Sequence, residues 1–312
     1  MKPLSRRNFL KTAGSCAGLL TVAPVTCALA GTSRTVNDDE LGMLYDATRC
    51  VGCKACMSAC KRYNNDNGNL EPEKAKFDPD GLWDAPSDLS GNNRTVIKLF
   101  KENSTSWSYV KYSCMHCQKP SCVSACPVGA LTKDRQTGIV SYDKTLCIGC
   151  RYCQIACPFN IPKFQWDRAM PQIVKCNFCK ETCLKEKGIT ACADVCPVKA
   201  IVFGKRKELL ADARRRMKDH PDRYLDTIYG EHEVGGVNHL YLSGVPFAKL
   251  GLRDLPADAP AVFSETIHHT IYKGFIAPIA LYSALCFVAL RNARKQKDHQ
   301  APHDDGSPGG KA

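Results

Sequence analysis

Residues 147–158 read Cys147-Ile148-Gly149-Cys150-Arg151-Tyr152-Cys153-Gln154-Ile155-Ala156-Cys157-Pro158, and the reading of this stretch decides the fold. Its cysteines are spaced x2, x2, x3, with a proline after the last. Three thiolates in so short a loop can wrap three corners of an iron-sulfur cubane while loop amides donate to the sulfurs; the fourth corner needs a residue from elsewhere. The same spacing recurs at Cys50, Cys53, Cys56 and Cys60. Two more groups keep the final x3 step behind a wider opening: Cys114-x2-Cys117-x4-Cys122-x3-Cys126-Pro127 and Cys176-x2-Cys179-x12-Cys192-x3-Cys196-Pro197.

In two-cluster ferredoxins the last cysteine of each run ligates the cluster of the other run. By that rule the second and third groups complete each other, Cys114, Cys117 and Cys122 with Cys157, and Cys147, Cys150 and Cys153 with Cys126. The sequence also repeats itself: Tyr45-Asp46-x-Thr48-x-Cys50-x-Gly52-Cys53 returns as Tyr142-Asp143-x-Thr145-x-Cys147-x-Gly149-Cys150, 97 residues on. Cys126-Pro127-Val128-Gly129-Ala130-Leu131 likewise matches Cys196-Pro197-Val198-Lys199-Ala200-Ile201. The expected fold is therefore α+β and loop-rich: two interleaved ferredoxin-like βαββαβ modules, one inserted within the other. Thr137-Gly138 marks a hairpin turn, residues 95–100 a strand, 204–220 a solvent-facing helix and 238–244 a further strand.

Composition points the same way. Twenty of 312 residues are cysteine while only 44% are apolar and 8% aromatic, so bound metal, rather than hydrophobic burial alone, is expected to help hold the chain. Zinc ribbons need two C-x2-C pairs per metal and give no reason for a third cysteine two residues on. A disulfide scaffold would leave one of the seventeen central thiols over, and three cysteines within seven residues pair poorly with one another. The formal charge of +12 suggests nucleic acid at first sight. Removing Lys2, Arg6, Arg7 and Lys11 leaves about +8, and four oxidised clusters with their thiolates, at about −2 each, would cancel it. No basic helix with interleaved aromatics is present, so nucleic-acid binding is not expected. No GxGxxG, P-loop, nucleophile elbow or HExxH supports catalysis by this chain alone.

The ends carry addresses. Ser5-Arg6-Arg7-Asn8-Phe9-Leu10-Lys11, a weakly apolar stretch and Ala28-Leu29-Ala30 read as a twin-arginine signal peptide over residues 1–30. Such signals export folded proteins, which suits clusters assembled in a reducing cytoplasm. Residues 274–290 are seventeen in a row without a charge, about 25 Å as a helix and just enough to cross a hydrocarbon core. Lys273 precedes them and Arg291, Arg294, Lys295 and Lys297 follow, which places the tail in the cytoplasm and the body in the periplasm. The segments expected are the signal (1–30), the first group with an insertion (31–113), the inner module (114–175), and the fourth group with a helix (176–220). A linker or docking stretch (221–266), a transmembrane anchor (267–292) and a disordered tail (293–312) follow.

Other residues are given lesser roles. Cys183 is the odd thiol and competes with Cys192 as a ligand, the x3 step to Cys196 favouring Cys192. His116 is read as a loop residue near a cluster edge, and His268 and His269 as interfacial groups. Residues 61–113 carry no cysteine and are expected to cover clusters or dock a partner.

The four-group order over residues 41–205 resembles the polyferredoxin subunits of membrane-bound respiratory oxidoreductases. With the twin-arginine signal, Cys114-Met115-His116-Cys117, Gly149-Cys150-Arg151-Tyr152-Cys153 and the ending Ile267-His268-His269-Thr270-Ile271-Tyr272-Lys273-Gly274, nearly the whole chain resembles the iron-sulfur subunits of hydrogenase-2, a membrane-bound nickel-iron uptake hydrogenase. The resemblance implies that the first and fourth groups also exchange their last ligands: Cys50, Cys53 and Cys56 with Cys196, and Cys176, Cys179 and Cys192 with Cys60. It implies four 4Fe-4S clusters on sixteen cysteines. The implied partners are nickel-iron small and large subunits and a polytopic quinone-binding membrane subunit, the chain itself being a non-catalytic electron relay. The iron-sulfur subunit of a formate dehydrogenase or another molybdopterin oxidoreductase is the alternative in the same class.

Overall fold

β1 (Leu41–Asp46) runs through the middle of a three-stranded sheet ordered β8–β1–β9, antiparallel to β8 (Ile201–Lys205) and parallel to β9 (His239–Leu242). Met43, Leu44 and Tyr45 are fully buried in succession, as a strand covered on both faces requires. The computed structural model describes residues 37–64, 87–101, 107–261, 265 and 279–292. The chain divides into a body, Thr32–Ser264, and a remainder.

Within the body, α1 (Ala55–Tyr63) follows the first cysteine loop, and the hairpin β2 (Val96–Lys101) with β3 (Trp107–Tyr112) lies beyond it. The inner module comprises α2 (Ser121–Ser124), the hairpin β4 (Leu131–Lys133) with β5 (Val140–Tyr142), α3 (Tyr152–Ala156) and the short pair β6 (Lys163–Phe164) with β7 (Ile173–Val174). Two short helices, α4 (Cys183–Lys187) and α5 (Ala191–Asp194), carry the fourth group into β8, and α6 (Arg206–Asp219) follows.

The sequence repeat is a structural repeat down to single hydrogen bonds. Tyr45 stands opposite Ile201 in one module and Tyr142 opposite Leu131 in the other. The Asp46 N–H donates to the Ala200 carbonyl, and the Asp143 N–H to that of Ala130, each at 2.8 Å. Asp46 Oδ1 accepts from the Thr48 N–H and hydroxyl at 3.0 and 2.6 Å, and Asp143 Oδ1 from those of Thr145 at 2.8 and 2.6 Å. These Asx turns launch the two cysteine loops in the same direction. α1 packs on α5 and α2 on α3, so each module joins an early segment to a late one.

Two expectations change. α6 is not simply a solvent-facing helix: Leu209, Leu210 and Ala213 pack with Leu44, Leu240 and Leu242, and Arg206 is 2% exposed. Arg206 donates to the carbonyls of Val237 and Glu231, each at 3.1 Å, and pairs with Asp38. Nor are residues 221–261 a linker, because Tyr229, Val234, Val237, Tyr241, Leu250 and Leu252 belong to the main core. The strand expected at 238–244 is β9; its place in the core shows in no pattern, since a short strand buried on both sides has no alternation.

Residues 279–292 form a helix whose apolar side chains, from Val288 at 38% to Tyr282 at 73%, are exposed all round. No helix among the described residues is long and apolar enough to cross a membrane. The remainder of the expected anchor, the signal, His268, His269 and the tail lie outside the described residues.

The loop glycines differ in what surrounds them. Gly52 and Gly149 share a left-handed backbone, φ +71° and +72°, but a Cβ on Gly52 would lie 2.3 Å from the Tyr109 ring, whereas on Gly149 its nearest neighbour is Phe164 at 3.7 Å. Gly149→Ala should cost about 1–2 kcal/mol for the left-handed backbone; Gly52→Ala should cost that plus about 1–3 kcal/mol of overpacking. Thermal midpoints of the two anaerobically purified variants test the ordering, and equal losses would disprove it.

Candidate metal centres

The first cysteine of each group begins the same local device. The sulfurs of Cys50, Cys114, Cys147 and Cys176 accept the N–H of Gly52, His116, Gly149 and Phe178, two residues on. All four of those residues have positive φ: 71°, 45°, 72° and 52°. A left-handed residue turns its amide back onto the preceding sulfur, and glycine does so without strain. The two that are not glycine meet: the rings of His116 and Phe178 stack with centroids 3.7 Å apart, both fully buried. This stacking joins the inner module to the fourth group and offsets part of the strain of two left-handed side chains. Burial first, and then the nearby lysines, hold the His116 pKa well below its ordinary value. Its Nδ1 accepts the Val140 N–H at 3.1 Å, so the proton sits on Nε2, which has no partner among the described residues.

Each loop then turns its thiols toward a common space. Cys50, Cys53 and Cys56 line a cavity with Cys196, beside Ile97 and Ile201. Cys60, Cys176, Cys179 and Cys192 line a second. Cys126, Cys147, Cys150 and Cys153 line a third. Cys117 has Cys157, Cys114 and Cys122 as its thiol neighbours, which brings the remaining set together. In all four places three thiols come from one group and the last from another. Cys183 lines none of these cavities; it is fully buried between Ala59, Cys179 and Ala191.

Electrostatics favour a positively charged occupant. Burial pushes the Cys56 and Cys122 thiols up to about 12, and those of Cys153 and Cys192 to about 11. Neighbouring thiolates contribute to these shifts and Lys111 or Lys175 opposes three of them, so four such groups ionise together only around a metal centre. Among the described residues no three His, Cys, Asp or Glu side chains converge on a point as a single ion requires; the thiols surround a volume. Four soft thiolate donors and an inward N–H group at each of the three cavities suit an iron-sulfur cubane.

The sites also form a row. Cys56 has Cys192 among its neighbours, Cys114 has Cys176, and Cys122 has Cys153. The order is thus the Cys50 set, the Cys60 set, the Cys114 set and the Cys126 set. Sequence reasoning gave no such order and missed Lys111, Asn64 and Phe178 around the second site. Asn64 Nδ2 donates to Cys179 Sγ at 3.2 Å, and only its position one residue past α1 hints at that role.

Two 4Fe-4S dicluster domain models match the chain, over residues 49–130 and 105–206. The hydrogenase-2 operon protein HybA of Escherichia coli O157:H7 is 38% identical over 97% of this chain and 99% of its own length. The chain belongs to the HybA family. It is a 4Fe-4S protein of mixed helix and strand. More distant relatives widen the picture: the iron-sulfur subunit of nitrate-inducible formate dehydrogenase from Escherichia coli K12 is 31% identical over 77% of this chain and 79% of its own length. The formate dehydrogenase iron-sulfur subunit of Haemophilus influenzae is 30% identical over 77% and 75%. HybA thus matches end to end, and the formate dehydrogenase subunits over about three quarters of the chain.

Proposed function

We propose that this chain is the electron-transfer subunit of a periplasm-facing, membrane-bound nickel-iron hydrogenase. It relays electrons through four 4Fe-4S clusters between the hydrogenase small subunit and a quinone-reactive membrane subunit, and catalyses nothing by itself. The observation that carries this reading is the row of four thiol sets, each drawing its last cysteine from a different group. The likeness to HybA along the whole chain supports the hydrogenase partner.

The sixteen cysteines Cys50, Cys53, Cys56 and Cys196; Cys60, Cys176, Cys179 and Cys192; Cys114, Cys117, Cys122 and Cys157; and Cys126, Cys147, Cys150 and Cys153 would hold the clusters. A bound 4Fe-4S cluster supplies a one-electron donor and acceptor whose potential follows its charge, hydrogen bonds and exposure. The protein's own contribution is placement. Left-handed residues aim amides at the first thiols, Ile97, Ile201, Leu131 and Ile173 keep water from the cavity walls, and each inter-group cysteine pins neighbouring sites together.

The leader at residues 1–30 would direct export by the twin-arginine route, and residues 267–292 would anchor the body to the periplasmic face with a cytoplasmic tail. Apolar side chains exposed around the whole helix at 279–292 support the anchor, since lipid is the solvent that suits such a surface. Anaerobic purification from membranes, with iron, acid-labile sulfide and nickel counted, tests the proposal. About sixteen irons with a nickel-containing partner are expected, and a chain ending before residue 267 should leave the membrane fraction unless its partners hold it there. Sixteen irons with a molybdopterin partner would transfer the relay to the formate dehydrogenase class, which the 31% relatives favour second. Zinc, or no metal, would refute the relay.

A further inference from the structure

Two lysines are closed off from water without a carboxylate beside them. Lys111, in β3, is 1% exposed, and Lys175, just after β7, is 4% exposed. Lys111 Nζ donates to Thr95 Oγ1 at 2.6 Å and to Ser113 Oγ at 3.1 Å. Lys175 Nζ donates to the carbonyls of Val140 and Cys176. Neither takes part in any ion pair among the described residues. A buried ammonium with only hydroxyl or carbonyl partners is costly and needs an anion.

For Lys111 the anions are thiolates of two sites. It lines the cavity of Cys60, Cys176, Cys179 and Cys192 and also has Cys56, of the adjoining set, as a neighbour. Arg94 shares the cavity wall and its charge also acts on Cys60, whereas Lys111 acts on Cys56 of the adjoining set as well and so faces both sites. Lys175 stands in the corresponding place beside Cys114, Cys122 and Cys157.

We infer that Lys111 sets the potential of the Cys60–Cys176–Cys179–Cys192 centre, its ammonium serving as a fixed counter-charge that makes this centre, and to a lesser degree the Cys50 centre, easier to reduce. The inference rests on the cluster reading above. A cluster gains one negative charge on reduction, and a buried positive charge nearby stabilises the reduced form more than the oxidised one. Without a carboxylate to absorb it, the charge acts on the centre in full. A hydrogen-bonding role alone would survive replacement by a neutral donor; this role requires the charge.

Redox titration of the purified membrane complex, followed by electron paramagnetic resonance with iron and sulfide counted in parallel, tests it. Lys111→Met should keep its iron and sulfide. At the potential where the affected centre of the unsubstituted protein is half reduced, the ratio of reduced to oxidised centre should fall about tenfold, about 59 mV for a one-electron couple. Lys111→Arg should restore the ratio, and Lys175→Met, which faces Cys114, Cys122 and Cys157 and touches the Lys111 centre only through Cys176, should move chiefly the signal of the Cys114 centre. Iron retained with all four potentials unmoved would overturn the inference, as would Lys111→Arg shifting as far as Lys111→Met. Loss of a cluster in Lys111→Met in place of a shifted potential would also overturn it, the lysine then holding the site together rather than setting its potential. A count far below sixteen irons in the unsubstituted complex would instead remove the cluster reading beneath it.

Discussion

Cys196→Ala is expected to strip the cluster from the Cys50, Cys53 and Cys56 loop and leave the other three in place. Cys196 is the one thiol of the fourth group in that cavity, and Ile97, Val198 and Ile201 offer no substitute ligand. Iron should fall from about sixteen to about twelve per chain, with one paramagnetic signal missing. Cys192→Ala should remove four irons from the neighbouring site. Cys183→Ala should remove none, because Cys183 lies packed among Ala59, Cys179 and Ala191 rather than at a cavity wall. Iron analysis and low-temperature spectroscopy of the three variants decide the matter. Sixteen irons in Cys196→Ala, or four lost in Cys183→Ala, would break the ligand sets proposed.

Arg206→Met is the second large effect, and it falls on stability rather than on iron. The guanidinium is 2% exposed and joins the end of β8 to the carbonyls of Val237 and Glu231 and to Asp38. Methionine fills much of the space but leaves those acceptors without donors, a loss of about 3 kcal/mol. For a body of this size the thermal midpoint should drop by about 6–12 °C. Arg215→Met, on the same helix but 71% exposed and paired only with Asp212, should change it by less than about 0.5 kcal/mol. Equal midpoints for the two variants would show that Arg206 is not the tie described.

Cysteine spacing made the modules legible because a cubane dictates loop length, and the repeat at Tyr45 and Tyr142 fixed which strands correspond. The turn at Gly138 and the strand at Val96–Lys101 were legible from composition. What stayed hidden was long-range. The burial of Arg206 depends on segments that meet only in three dimensions, and an arginine-rich helix looks the same from the sequence whether one of its cations is inside or outside. His116 and Phe178 gave no sign of their left-handed backbone, since side chains of that kind adopt it only when tertiary contacts hold them there. The 221–261 stretch lacked periodicity because both faces of β9 are covered. Lys111, between Val110 and Tyr112, carries no sign in the sequence of the burial that makes it matter.

The nesting of one module inside the other also imposes an order in time. As the chain is synthesised from its N-terminus, the first loop emerges with its fourth thiol still far away. The inner pair of sites can close once Cys157 is made, whereas the outer pair must wait for Cys176 through Cys196, and the sheet around β1 for β8 and β9. A nascent chain cut short between these points would hold two finished centres and two open ones. β1 thus gains both its flanking strands only after the last of these sixteen cysteines, Cys196, has been made.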